Sequence, residues 1–425
     1  MSTIVGRGLA PVREQLPNGA VILAKESRTT PAVTIHASFE AGIIFDPASQ
    51  NGLAHLVSRM LDRGTHARSA ADLAESLDNR GVSLSISINR HVISIVCNCL
   101  TEDFDAILSL VGEIAMNASF PDDELAMRRA ETITMIRQDE DSPAAMATES
   151  LMHLLYPAHP YGTRPRGSVE IVEQIPRAAL QAFHADRFAP STLSLAIVGD
   201  VEPRAAVGAA SRVFGQWNVP APKPASLPPV ARIPSRREFV HPMMNKAQAD
   251  IAYGFVTILR SDPEYQAYNL MNNVLGQYSL GGRLGDSIRE RQGMAYYCFS
   301  TLDANVIAGP LMVRAGVNPS NVDRAVKSID EEIDRMAAEG PTDKELKESK
   351  QYLIGSMPRT LETNTGIANF LQTVEFFKLG LDYDLRLPDL INAVTRDAAH
   401  RAARTLASSK AAVVIAGPYE AGTSR

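Results

Sequence analysis

Gly52-Leu-Ala-His-Leu-Val-Ser-Arg-Met-Leu-Asp-Arg-Gly-Thr65 is the stretch on which the reading of this chain turns. It reads as a helix beginning at about Gly52, and it holds one histidine, His55. Ser58 and Arg59 follow one turn later. A serine has no useful basicity near neutral pH, and a permanently charged arginine cannot ligate a metal ion. Taken alone, His55 reads as a histidine satisfied in a core or cleft.

Strand signals lie on both sides of this helix. Val21 to Ala24 and Ala32 to Glu40 precede it; Val82 to Asn89 and His91 to Leu100 follow it, joined tightly at Arg90. Helical patterns start at about Asp103 and Asp122, and Leu195 to Asp200 reads as a final buried strand. Hairpins mixed with helices predict an α+β domain rather than a strict βαβ winding.

The chain has 425 residues, 45% hydrophobic and 21% charged, which is ordinary for a folded protein and excludes a mostly disordered or collagen-like one. A formal net charge of −6 gives no electrostatic reason to bind nucleic acid or an acidic membrane surface. Three cysteines cannot build a disulfide scaffold. Cys97 and Cys99, two apart on a strand, share one face and cannot bridge each other; they read as small packing residues in a reducing compartment. The opening stretch MSTIVGRGLAPVREQLPNG lacks the apolar run of a secretory leader, and no run is long enough to span a membrane. A soluble cytoplasmic protein is expected.

Val219 to Arg236, VPAPKPASLPPVARIPSR, carries six prolines and reads as an extended, semi-rigid linker. It divides the chain into residues 1–218 and 237–425, and the two halves show weak repetition. Phe120-Pro-Asp-Asp-Glu-Leu125 and Gly340-Pro-Thr-Asp-Lys-Glu-Leu346 both open long helical patterns, with proline early and acids in the first turn. Leu195 to Asp200 and Ala412 to Pro418 close the halves as buried strands. The matching elements are offset by about 220 residues, which points to a duplicated domain.

The Gly52–Thr65 segment resembles the zinc helix of the pitrilysin/insulinase metallopeptidases, family M16. Their inverted motif H-x-x-E-H sits in a frame like G-L-A-H-x-x-E-H-M-x-x-x-G-T. In that family two histidines and a distant glutamate hold Zn²⁺, and the glutamate between the histidines takes a proton from the bound water. His55 matches the first zinc histidine. Ser58 stands at the general-base position and Arg59 at the second histidine. The third ligand of short-chain members falls about 76 residues further on, in a context like E-I-R-x-x-E-D-D-P. Here that position is Met135, in Thr134-Met-Ile-Arg-Gln-Asp-Glu-Asp-Ser-Pro143, and methionine is a poor partner for Zn²⁺. The frame is kept and the chemistry is gone, so no metal is expected in this chain. Glu131, one turn before Met135, could join His55 in a rebuilt metal site. His153 and His159 offer a second metal pair, although loop histidines without a metal role are the commoner case.

His159-Pro-Tyr-Gly162 and Phe183-His-Ala-Asp-Arg-Phe-Ala-Pro190 extend the similarity, with Phe188 in place of the family's usual tyrosine. It runs from about Leu16 to Gly417. The resemblance implies two related M16-type (LuxS/metallohydrolase-like) domains forming a half-shell, each a mainly antiparallel sheet packed with helices.

Gly281-Gly-Arg-Leu-Gly-Asp-Ser-Ile-Arg-Glu-Arg-Gln-Gly-Met-Ala-Tyr296 resembles the family's S-R-L-x-x-x-L-R-E-x-x-G-L-A-Y segment. Arg289 and Tyr296 match its R/Y pair, which reaches substrate from the C-terminal domain; Tyr297 lies nearby but breaks the spacing. An arginine can donate to a peptide carbonyl, and a tyrosine hydroxyl can donate toward the oxygen that becomes negative when water attacks. The resemblance implies the zinc-less, short-chain (M16B) subunit of a heterodimeric peptidase. Its partner would supply an intact H-x-x-E-H and the zinc, and peptides would be the substrate. The competing expectation is a non-enzymatic scaffold or binding protein of the same fold. The glycine-rich stretch Leu275 to Gly282 is short, unlike the long loop of the non-catalytic mitochondrial processing subunit.

Overall fold

The computed structural model describes residues 8–278 and 281–420. Residues 1–7, at the start of the opening stretch, residues 279–280, within the glycine-rich stretch, and residues 421–425 lie outside the described residues. The chain is α+β and contains two mixed sheets. The first comprises β1 (Val12–Gln15), β2 (Val21–Glu26), β3 (Ala32–Phe39), β4 (Ser83–Ile88), β5 (Ile93–Leu100) and β6 (Leu193–Gly199), in the order β1-β2-β6-β3-β5-β4. The second comprises β7 (Arg237–Pro242), β8 (Ala249–Val256), β9 (Ala295–Leu302), β10 (Pro310–Val317) and β11 (Ala412–Gly417), in the order β7-β11-β8-β10-β9.

Remove β1 and the two orders are the same, strand for strand. The last strand of each half inserts beside the first and runs parallel to it, β6 along β2 and β11 along β7; every other pair is antiparallel. A shared strand order with one parallel pair at the same place is stronger evidence of duplication than the sequence repeats. The expected hairpin is β4–β5, in which Ser83 pairs with Asn98 and Ile88 with Ile93. Cys97 and Cys99 are free and buried on β5.

Residues 219–235 carry no helix or strand, and β7 begins at Arg237. The chain groups into two compact units that do not follow chain order. The first contains residues 1–137, 164–226 and 358–385; the second contains residues 138–163, 227–357 and 386–425. Each unit therefore takes one helix from the other half of the sequence. In the first unit the Asn364–Phe376 helix lies on β3 and β6. Ile367, Ala368 and Leu371 pack on Leu23, Ala196 and Val198, and Gln372 Nε2 donates to the carbonyls of His36 (2.7 Å) and Ser194 (2.9 Å). In the second unit the Pro143–Leu155 helix lies on β8 and β11, with Leu151 and Leu155 against Gly254. Sequence halves and compact units are thus two different groupings of the same chain.

Both cores lie on the opposite sheet faces, under helices. Ile35, Phe39, Ile95, Leu56 and Phe214 are fully buried in the first; Leu311, Val313 and Ile329 are fully buried in the second. Each such side chain contributes about 1.5–3 kcal/mol on leaving water. No helix among the described residues is long and apolar enough to cross a membrane.

Candidate functional site

The predicted helix is Leu53–Met60. It buries Leu53, Ala54, Leu56, Val57 and Met60, the apolar stripe of a core-facing helix. Gly52 starts it at φ +97°, a left-handed conformation that a side chain resists, and a Cβ there would lie 2.4 Å from the Arg166 carbonyl oxygen. The first backbone N–H groups of a helix have no partner inside it. Here Asp46 supplies one, its carboxylate accepting from Gly52 N (2.8 Å) and Ala54 N (2.7 Å). Burial outweighs those two bonds and pushes the Asp46 carboxyl up to about 7.

The residues of the zinc frame are occupied with one another. Ser58 Oγ donates to the His55 carbonyl at 2.7 Å, one turn back in its own helix. Arg59 Nη2 donates to Glu131 Oε2 at 3.0 Å, and Arg128 Nη1 donates to the same oxygen at 2.7 Å. Glu131 belongs to the Asp122–Glu140 helix, which also carries half-buried Met135. The Glu131 carboxylate thus faces two guanidinium groups. Arg59 supplies at this position the positive charge that a metal ion would bring.

His55 is largely buried, and its Nε2 has no hydrogen-bond partner among the described residues. Burial, then the charges of Arg166 and Arg59, push its imidazole down to about 4, so it is neutral at pH 7. A neutral imidazole is a competent ligand, but nearby fixed cations repel a divalent ion. Among the described residues no group of three or more His, Cys, Asp or Glu could hold a metal ion. The residue set does not fit a catalytic zinc. Glu131 is engaged by Arg59 and Arg128, which removes the rebuilt site of His55 and Glu131. His153 is exposed, whereas His159 is buried with Nδ1 accepting from Tyr161 N at 3.0 Å, so the two do not form a metal pair.

The second predicted site lies in the second unit. Arg289 sits on Gly285–Arg291, a π-type turn that buries Ser287 and Ile288 and turns its charged residues outward. Such turns recur at functional sites. The segment is anchored just upstream, where Arg283 meets Glu345 with both contacts at 2.7 Å and holds that carboxyl down at about 2. Arg289 lines a cavity of about 340 Å³ together with Gly276, Gly281 and residues 297–301 of edge strand β9. Its closest acidic contact is Glu290 Oε1 at 3.5 Å, so the guanidinium keeps donors for a ligand.

Tyr296, at the start of β9, is 68% exposed and is not part of that lining. Tyr297 is, and its hydroxyl donates to Asp250, a buried carboxylate on β8. That acceptor and burial push the Tyr297 phenol up. Arginine and exposed tyrosine therefore belong to one short segment, Arg289 at the cavity and Tyr296 outside it. Sequence reasoning missed Asp46 as the helix cap, Arg128 beside Glu131, and the Tyr297–Asp250 pair. Asp46 and Asp250 are tied to their partners by the fold, with no local motif to mark them.

A helix-on-sheet fold of this order, with a degenerate zinc helix in one sheet's unit and an arginine-bearing turn in the other's, defines a metallopeptidase-type scaffold. Family models agree. Residues 21–165 match the insulinase domain of peptidase family M16, and residues 174–353 match the peptidase M16 inactive domain. The chain belongs to the M16 family. It is 25% identical to an uncharacterized zinc protease of Mycobacterium tuberculosis, over 97% of this chain and 94% of that protein. It is 23% identical to a non-peptidase homolog, YmxG, of Helicobacter pylori, over 85% of this chain and 82% of that one. A solved M16 inactive domain from Pseudomonas fluorescens superposes with a TM-score of 0.90 at 25% identity, covering 96% of this chain and 98% of that one. A protease structure from Helicobacter pylori, 16% identical and covering 97% of this chain and 100% of that one, shares the fold with a TM-score of 0.90. Within this family the present residues describe a non-catalytic M16-fold chain.

Proposed function

We propose that this chain is the non-catalytic, substrate-positioning subunit of a heterodimeric short-chain M16 peptidase acting on peptides. The partner chain holds the zinc on an intact H-x-x-E-H, and this chain contributes Arg289 and Tyr296 to the composite site. The observation that carries the reading is the asymmetry of the two sites. At the zinc frame Arg59 and Glu131 neutralise each other, while Arg289 stands at an open cavity with donors to spare.

A guanidinium with several donors suits a peptide carbonyl or carboxylate and keeps its charge at any working pH. An exposed tyrosine hydroxyl suits the oxygen that gains charge during attack by water. These groups hold and stabilise; they do not generate a nucleophile. The subunits would assemble as two half-shells around a chamber, with residues 219–236 as the strap between this chain's halves, in the cytoplasm. A non-enzymatic binding protein is the second reading, favoured by the position of Tyr296 outside the cavity. Mixing experiments separate them. Arg289→Ala or Tyr296→Phe lowers turnover of the reconstituted complex without changing the partner's zinc content if the first holds; full activity of both variants supports the second.

A further inference from the structure

The two sheets differ at one edge. In the first, β1 lies antiparallel along the outer side of β2, with Val12 opposite Ala24 and Gln15 opposite Val21. In the second, β7 holds the place of β2, and among the described residues no strand lies beyond it. The residues that would fill that slot, Leu227 to Arg236, include Pro228, Pro229 and Pro234, and proline cannot donate to a ladder. The second sheet therefore ends on an open strand.

The ladder with β11 decides which groups that edge offers. Arg237 N donates to the Ala411 carbonyl at 3.0 Å, and Met243 N donates to the Gly417 carbonyl at 2.8 Å. Alternate residues of a strand turn their backbone groups the same way, so Arg237, Phe239 and His241 face β11. Glu238 and Val240 turn their N–H and carbonyl groups outward, where no strand meets them. Phe239 is 44% exposed, and its ring lies 6.2 Å from that of His241 on the same face of the strand. An unpaired edge of this kind is a template for a further strand.

We propose that β7 pairs antiparallel with β7 of a second copy of this chain, centred on Phe239, so that two five-stranded sheets join across a two-fold axis. Glu238 of each chain then exchanges both backbone bonds with Val240 of the other. The two Phe239 rings meet at the axis as a non-hydrogen-bonded pair, where cross-strand side chains come closest. Glu238, already paired with Arg236 at 2.7 Å, faces a valine and not a second acid. Pro242 selects this register, because centring on Val240 would set the Glu238 carbonyl opposite a residue with no N–H. The same surface serves both chains, so the contact closes as a dimer. It stands independently of the peptidase reading above.

Sedimentation equilibrium of the full chain over a range of concentrations is expected to show a reversible monomer–dimer equilibrium, since a six-residue edge makes a weak contact. Phe239→Lys sets like charges at the axis and weakens the dimer by about tenfold. Val240→Pro removes an outward N–H, leaves the donors to β11 in place and weakens it too; thermal melts show whether each variant keeps its fold. Hydrogen exchange over residues 237–242 slows as the concentration of the unaltered chain rises, and does not slow in Phe239→Lys. A chain that stays monomeric throughout, or a dimer that folded Phe239→Lys leaves unchanged, overturns the proposal. Protection of 237–242 that appears only when an H-x-x-E-H chain is added gives the edge to that subunit and overturns it as well.

Discussion

The Leu53–Met60 helix and the Arg289 turn make opposite use of their arginines. Arg59 is paired with a carboxylate on a neighbouring helix, beside a neutral histidine whose Nε2 has no partner among the described residues. Among the described residues the one carboxylate within ion-pair distance of Arg289 is that of its chain neighbour Glu290, and Arg289 borders a cavity. The first arrangement pairs its arginine across two helices; the second leaves its arginine beside a cavity, which the proposed function takes as the peptide site. A guanidinium at a former ligand position does more than remove a zinc donor. It is a second guanidinium beside Arg128 on the Glu131 carboxylate, so that carboxylate is already engaged by two cations.

Rebuilding the first region breaks the contrast most severely. Ser58→Glu, Arg59→His and Met135→Glu together restore the H-x-x-E-H frame with its distant carboxylate. The triple variant is expected to hold about one zinc per chain by atomic emission spectroscopy, because three protein ligands and an open position define a catalytic site. Arg59→His alone still lacks the third ligand, at Met135, and the general base, at Ser58, and takes up none. Stoichiometric zinc in the unaltered chain would erase the distinction between the regions.

At the second region, Tyr296→Phe in the reconstituted complex is expected to lower kcat/KM by about 10²–10³-fold, the cost of removing one donor to a developing oxyanion. Steady-state peptide cleavage measures it, and zinc content stays constant.

Acid should weaken the first unit. His36, His55 and His184 all belong to it, and burial pushes each down to about 4. Their folded values lie below the ordinary 6.5, so the unfolded chain takes up protons first as pH falls. Stability that is complete above pH 6.5 is therefore lost between 6.5 and 4, by about 3 kcal/mol for a deeply buried group such as His36. Asp46 works the other way: raised to about 7, it adds stability as pH falls from 7 toward 3.8 and offsets part of the loss. Thermal melts at pH 7.0 and 4.5 are expected to show a lower Tm at the acidic pH. An unchanged or higher Tm contradicts the burial of these imidazoles.

The smallest effect belongs to Arg59→Ala. Arg59 and Glu131 are 40% and 41% exposed, and Arg128 remains to pair with Glu131. Denaturant melts are expected to move by about 0.5 kcal/mol. A loss several times larger would mean that the ion pair holds the two helices together.

Much of this was legible in sequence because it is written locally. The hairpin at Arg90, the strand Leu193–Gly199 and the helix Leu53–Met60 follow from apolar spacing over a few residues. So does the degeneracy of the zinc frame, since a residue type suffices to exclude a ligand. The exchange of the Pro143–Leu155 and Asn364–Phe376 helices was not legible. A helix's apolar face records that it is buried but not against which sheet. The Arg59–Glu131 pair joins residues far apart in sequence, and the Tyr297–Asp250 bond depends on β8, β10 and β9 lying side by side. Arg289 was found from its motif; the cavity it borders was not, because a cavity is a property of packing.

The most direct test of the account is a peptide-cleavage assay on three samples: this chain alone, an M16 chain with intact H-x-x-E-H alone, and the two mixed. The account predicts that this chain alone is inert and that the mixture cleaves far faster than the H-x-x-E-H chain does by itself. Cleavage by this chain alone, or a mixture no faster than the H-x-x-E-H chain, would contradict it.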